Sequence, residues 1–188
     1  MTVEAYTKLI FLVGISFVSF GFLAFTRDRK NISNRLFGLL SISFAVWSFA
    51  WFLMLVYSQS DGIAVLWARL LNFGAIWIPI LYSHWLFSLL GIQDRKKRFL
   101  ITGYSIATIF SLLNFTPLLM KSVHPIFLFP IWPTPGPLYI WFISIGYFGL
   151  VSYAFAEAYQ NFSTLSREKR YQLMYVLIGS ILGFGGGA

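Results

Sequence analysis

The stretch LWARLLNFGAIWIPILYSHW, residues 66–85, holds nearly all the side chains of an apolar segment that could bind or transfer anything: Arg69, Asn72, Ser83 and His84. On a helix turning about 100° per residue these four fall within about one third of the circumference. Together they present a fixed cation, an amide, a hydroxyl and an imidazole, a set suited to holding a polar group by hydrogen bonds. The same set is poorly equipped for catalysis. The chain has no HExxH, no GxxxxGK[ST], no paired carboxylates near these residues and no Ser/His/Asp set, and its two histidines, His84 and His124, lie far apart in sequence. No enzyme activity, cofactor or metal is therefore expected of this segment.

The element that carries these groups must be understood before the groups themselves. Of the 188 residues, 58% are hydrophobic, 20% aromatic and 11% charged, too little polar surface to coat a soluble globule of that size. The chain reads as all-α, a polytopic transmembrane bundle of about six helices. Apolar runs of the length needed to cross about 30 Å of hydrocarbon extend over 6–26, 36–57, 63–91, 99–116, 138–160 and 171–188. Residues 1–188 read as one membrane domain with no soluble domain. Glu4 and Lys8, with no basic leader or small-residue cleavage site, argue that the first run is retained rather than removed.

The net charge of +8 is distributed as topology requires rather than as nucleic-acid binding would. Arg27, Arg29, Lys30 and Arg35 lie between runs one and two, Arg95, Lys96, Lys97 and Arg98 between three and four, and Arg167, Lys169 and Arg170 between five and six. The alternate connections hold only Asp61 and Lys121. The positive-inside rule then puts the N-terminus outside and all three basic loops in the cytoplasm. Glu157, near the cytoplasmic end of run five, is expected to anchor at the interface.

Within that frame, a lone charge facing lipid at the bilayer centre costs about 2.5–3.5 kcal/mol, so the polar arc of the third run should face protein or a water-filled space. Arg69, about two turns from the outer end, is able to snorkel to the interface, whereas His84 needs hydrogen-bond partners. Pro79 removes one helical hydrogen bond between them and is either a packing kink or a hinge. The arc is open to two readings, structural necessity or a pocket; in the second, Arg69, Asn72, Trp77, His84, Trp132 and Tyr139 are the candidate ligand contacts.

Pro117, Pro125, Pro130, Pro133, Pro135 and Pro137 crowd the longest outer connection, which should be extended, turned and stiff. Ile126, Phe127, Leu128, Phe129, Ile131 and Trp132 cannot all face water, so this segment is either a cap sealing the bundle or a lid over an outward-facing cavity. Gly179, Gly183 and Gly187, four residues apart, share a helix face open to close packing, a dimer contact or sliding. A helix ending in GFGGGA suggests a chain cut from something longer.

In order, NISNRLFGLLSISFAVWSFAWFL, LWARLLNFGAIWIPILYSHWLFSLLG, PTPGPLYIWFISIGYFGL and SREKRYQLMYVLIGSILGFGGG resemble the N-terminal seven-helix sensor region of bacterial and archaeal membrane histidine kinases. The resemblance covers Asn31 to Gly187. It is carried by the Asn-rich start of helix two with Trp47, the Trp67-x-Arg69 motif, Pro79 with His84, Pro135-Gly136, and Arg170 to Gln172. It implies the input domain of a two-component sensor kinase in a cytoplasmic membrane. Such a domain would bind a small or amphipathic signal, lipid-like or not, and pass a helix rearrangement to a cytoplasmic kinase acting as a homodimer. The chain departs from the pattern in having no seventh helix, phospho-accepting His box or ATP-binding domain, so kinase activity is not assigned to it. A complete six-helix substrate-capturing subunit of a vitamin uptake system is the competing reading, and a purely structural membrane partner a third.

Overall fold

The computed structural model describes residues 2–58 and 60–186. Helix α1 spans Val3–Arg27, α2 Ile32–Tyr57, α3 Asp61–Leu90 and α4 Lys97–Leu113. The fifth rod is composite, an α-helical start α5 (Tyr139–Phe142), a π-helical segment (Ile143–Val151) and α6 (Ser152–Asn161); α7 spans Arg167–Gly186. Short polar residues set the beginnings. Thr2 accepts from the Ala5 amide, Asn31 from Ser33 and Ser60 from Ile63, each satisfying a donor that the first helical turn leaves over.

Four of these rods are long and apolar enough to cross a membrane: Val3–Arg27, Ile32–Tyr57, Asp61–Leu90 and Tyr139–Thr164. Their outward faces carry Leu12, Phe20, Phe22, Leu39, Ile42, Leu66 and Phe148, all exposed, as expected of side chains that meet lipid. The bundle is therefore an all-α membrane assembly. The third rod is its hub, packing against α2, α4, the π segment, α6 and the hairpin described below. Close approach to α2 depends on Gly74: a Cβ there would stand 2.7 Å from the Ser43 carbonyl and 2.8 Å from the Trp47 nitrogen of the α2 backbone, so only glycine admits this crossing.

The proline-rich connection contains the one departure from an all-helical chain among the described residues, an antiparallel hairpin of β1 (Met120–Ile126) and β2 (Phe129–Pro135). Extended backbone was expected there; a paired ladder was not. A two-stranded sheet is all edge, so prolines can turn their donor-less nitrogens outward, and the ladder breaks register between His124 and Ile126, around Pro125. Met120 is buried with Met54 and Ala68, flanked by Trp51, Trp67, Val123 and Ile131. The hairpin thus caps α2 and α3. The expectation that its whole apolar run covers the bundle needs correction at the turn, where Phe127 (φ 48°) and Leu128 point off the end and are exposed. Gly136 closes the connection: its amide donates to Leu119, and a Cβ would strike the carbonyls of Pro117 and Leu118.

At the opposite end lie the three basic connections. Lys96 reaches Glu157 Oε1 and donates to the Tyr153 hydroxyl at 2.8 Å, tying the α3–α4 loop to α6. Donating to Glu157, and less strongly to Tyr153, raises the Lys96 pKa above its ordinary value. Arg170 donates through Nε to Leu165 O and through Nη2 to Ser163 O, supplying the carbonyls that a short 3-10 turn leaves over. Ser180 of α7 interacts with Tyr82 of α3.

Candidate functional site

The polar arc of α3 is distributed over three environments. Nearest the hairpin, Arg69 is half-buried and Asn72 only 2% exposed. The tip of α4 brings Asn114, fully buried, so that its Nδ2 donates to the Arg69 carbonyl at 2.7 Å. Ser111 lies one turn earlier on α4 and is also buried. Each of these four side chains has a buried polar atom with no partner among the described residues: Arg69 Nε, Asn72 Nδ2, Ser111 Oγ and Asn114 Oδ1. Unpaired groups of this kind cost about 1–3 kcal/mol each, so four in one neighbourhood mark a place where something else is expected to bond. The two ion pairs among the described residues are Lys8–Glu4 and Lys96–Glu157, so Arg69 has no carboxylate to neutralise it.

Above this cluster the hairpin supplies aromatic rings. Trp132 meets Trp51 edge-on at 5.2 Å, Phe129 meets Tyr6 at 5.1 Å, and Trp47 lies 5.4 Å from Trp51. The indole nitrogens of Trp51 and Trp67 are buried without acceptors among the described residues. Tyr139 opens the fifth rod and packs on Phe142 at 5.6 Å.

Further along α3, His84 Nδ1 and the Tyr104 hydroxyl of α4 are hydrogen-bonded at 2.8 Å. Trp77 lies 6.3 Å from the Tyr104 ring, and its indole nitrogen is buried without an acceptor among the described residues. The imidazole thus has its partner inside the bundle. Arg69 and Asn72 are brought together with each other, Trp132 belongs to the aromatic cap, and Trp77 with His84 forms a separate group.

Pro79 is buried and α3 continues through it. Without its N–H, the Ala75 carbonyl four residues back loses the usual helical donor, and the hydroxyl of Tyr147, from the π segment, donates to that carbonyl at 3.0 Å. A Cβ at Gly146 would stand 3.5 Å from the Pro79 ring. One turn later the Ser83 hydroxyl lies 2.8 Å from Pro79 O and 3.1 Å from Leu150 O of the π segment. Two interruptions of regular helix, a proline and a stretch of i→i+5 bonding, are therefore packed on each other and cross-linked by side-chain hydroxyls. Such π segments are frequent at functional sites.

Of the glycines on α7, Gly179 and Gly183 have nothing within 4 Å of a built Cβ, and Gly187 lies outside the described residues. Between α3, α4 and the π segment lies a narrow apolar crevice with room for little more than one water molecule, lined by Ile76, Gly103, Ile106, Phe110, Phe142 and Leu150 among others.

Sequence reasoning missed Asn114, Ser111, Tyr104 and Tyr147. The criterion that singled out Asn72, an amide inside an apolar run, would have found Asn114 in the fourth run. The tyrosines give no such signal, because their role comes from what faces them.

No curated protein and no solved structure matches the chain. The family described as the N-terminal 7TM region of histidine kinase matches residues 9–187, nearly the whole length. The chain belongs to this family and is a membrane sensor region of the histidine-kinase type.

Proposed function

We propose that this membrane region detects a small apolar or amphipathic signal that enters beneath the proline-rich hairpin and contacts the hairpin-end arc of α3. In this reading the hairpin faces outward and the basic loops face the cytoplasm. Arg69 and Asn72 hold the polar part of the signal, with Trp132 in the hairpin above them, while Tyr139 opens the fifth rod and His84, in a separate group with Trp77, holds α4 to α3. The supporting observation is the group of four buried side chains with unpaired polar atoms directly below a capping hairpin.

A ligand shifts an equilibrium only by binding one arrangement better than another. The element suited to having two arrangements is the Pro79–π-segment contact, where the single Ser83 proton has two carbonyls within reach. Rearrangement there would move α6 and, through the 162–170 connection, α7, toward a cytoplasmic kinase that acts as a homodimer.

Topology is testable directly because the chain has no cysteine. Single replacements Lys30→Cys, Lys96→Cys and Phe127→Cys are expected to react with an impermeant maleimide on intact cells only at position 127. Labelling of position 30 or 96 from outside would overturn the reading. In the full-length kinase, a reducible bis-methanethiosulfonate crosslink between Trp51→Cys and Trp132→Cys is expected to hold autophosphorylation at one level until reduced, and an output indifferent to the lock would exclude the hairpin as a lid.

A further inference from the structure

We propose that the hairpin turn, Phe127 and Leu128, is an anchor in the lipid surface: it reaches past α1 into the headgroup zone of the adjoining leaflet and holds the hairpin down on the bundle.

The turn itself is the first observation. Ile126 pairs with Phe129, which leaves Phe127 and Leu128 as a two-residue turn. Phe127 has φ 48°, a left-handed backbone for which tight hairpins use glycine or asparagine. Here that position carries an aromatic ring that is fully exposed, beside a leucine that is 71% exposed. A scattered exposed apolar side chain needs no explanation. A ring on a backbone that disfavours it, with no contact among the described residues to offset the cost, calls for a contact outside this chain.

The path of the hairpin identifies that contact. α1 packs along α2, and α2 along α3. From base to tip the hairpin meets these helices in reverse order: Met120 is buried with Ala68 of α3 and Met54 of α2, Trp132 meets Trp51 of α2, and Phe129 meets Tyr6 of α1. Strands of seven residues are about 20 Å long, which matches two interhelical spacings of roughly 8–10 Å. The hairpin therefore lies across the end of the bundle rather than standing up from it, and its turn follows directly on the contact with α1, the outermost of the three helices.

Depth comes from α1. Glu4 and Lys8 bracket Tyr6 and form an exposed ion pair at 2.7 Å, which sets this part of the helix at the boundary between water and lipid, the level that Tyr and Trp favour. The exposed large apolar side chains of α1 begin at Leu9 and Leu12, three residues or about 4.5 Å beyond Tyr6 for the first of them. The turn is thus held at headgroup height beside the lipid-facing side of α1 and continues that surface, within the roughly 5–10 Å over which surface-bound apolar groups enter a leaflet. Water still reaches this zone, so a cysteine at position 127 stays open to maleimide. The proposal holds whichever side of the membrane the hairpin faces, and labelling at positions 30 and 96 judges the topology separately.

The test places the chain in phosphatidylcholine nanodiscs with a nitroxide on a single cysteine, Leu128→Cys, and compares its collisions with oxygen, which concentrates in lipid, and with a water-soluble nickel complex. Lys30→Cys is the aqueous reference and Leu12→Cys the lipid one. The oxygen-to-nickel ratio at 128 is expected to lie between the two and about threefold or more above that at 30, as an interfacial depth requires. A second measurement needs no label. Phe127→Gly relieves the left-handed backbone, so amide hydrogen exchange in the hairpin would slow if the ring were only a turn residue. Loss of an anchor is expected instead to speed that exchange about fivefold, the span of a ring partly removed from water, while the buried amides of α2 and α3 keep their protection and show the bundle intact. A ratio at 128 equal to that at 30 overturns the lipid anchor and leaves the turn as a surface for a soluble partner protein. Hairpin exchange that is unchanged or slower in Phe127→Gly overturns its role in holding the hairpin down.

Discussion

If the Tyr147 hydroxyl stands in for the amide that Pro79 lacks, its importance must vanish when the proline is removed. Tyr147→Phe deletes the donor at 3.0 Å from the Ala75 carbonyl and leaves that carbonyl unpaired beneath the π segment. Leaving a buried group unpaired costs about 1–3 kcal/mol, while interhelical hydrogen bonds inside membranes average about 0.6 and reach about 1.7 kcal/mol; the overlap predicts a loss of about 1–1.7 kcal/mol. Pro79→Ala restores an N–H four residues after Ala75, which can close the regular helical bond. In that background the same tyrosine change should cost about 0.5 kcal/mol or less, giving a coupling energy of about 1 kcal/mol in the double-mutant cycle. Equilibrium unfolding in mixed lipid–detergent micelles, followed by tryptophan fluorescence for all four proteins, measures it. Equal costs of Tyr147→Phe with and without the proline would refute the substitution argument, since any role of the tyrosine that ignores Pro79 cancels in the cycle.

Other consequences are independent of that one. Gly74→Leu drives side-chain atoms into the α2 backbone at Ser43 and Trp47 and should destabilise by about 1–3 kcal/mol or more as an overpacked contact, measured in the same micelles; a neutral result would mean the α2–α3 crossing is looser than described. The Cβ of Gly179→Ala or Gly183→Ala meets nothing within 4 Å in the described residues, so the unfolding free energy of a single chain should move by no more than about 0.5 kcal/mol, and a loss of self-association measured by resonance energy transfer would place a helix contact there. The Lys96 pKa is raised by its hydrogen bonds to Glu157 and Tyr153, so the contribution of the pair is complete below the ordinary lysine value of 10.5 and disappears as pH climbs through the raised one. The melting difference between the native chain and Lys96→Met should therefore hold steady from neutrality to that value and shrink above it.

The six-rod plan was legible in sequence because each crossing is a local property: twenty apolar residues are needed wherever they end up. Rods α2 and α7 each begin four residues before the apolar runs at 36 and 171, because their first turns, 32–35 and 167–170, are helical although mostly polar. Composition could not reveal the hairpin, since prolines argue against a ladder in general and permit it only where both strands are edges. Nor could it show that the fifth rod is partly π-helical, because i→i+5 bonding leaves no mark in a uniformly apolar run.

The site divides in the same way. Arg69, Asn72 and Pro79 stood out from sequence because each is expensive in hydrocarbon regardless of its surroundings. His84 stood out too, but its partner, Tyr104 on α4, was invisible. Solvation and helical period, both readable residue by residue, determined that this chain is a membrane bundle with a polar stripe on its third crossing. Only the packing of α3 against α4 and the π segment decided which polar groups are satisfied and which are left over, because a hydrogen bond between distant segments depends on where two helices meet and no local pattern records that meeting.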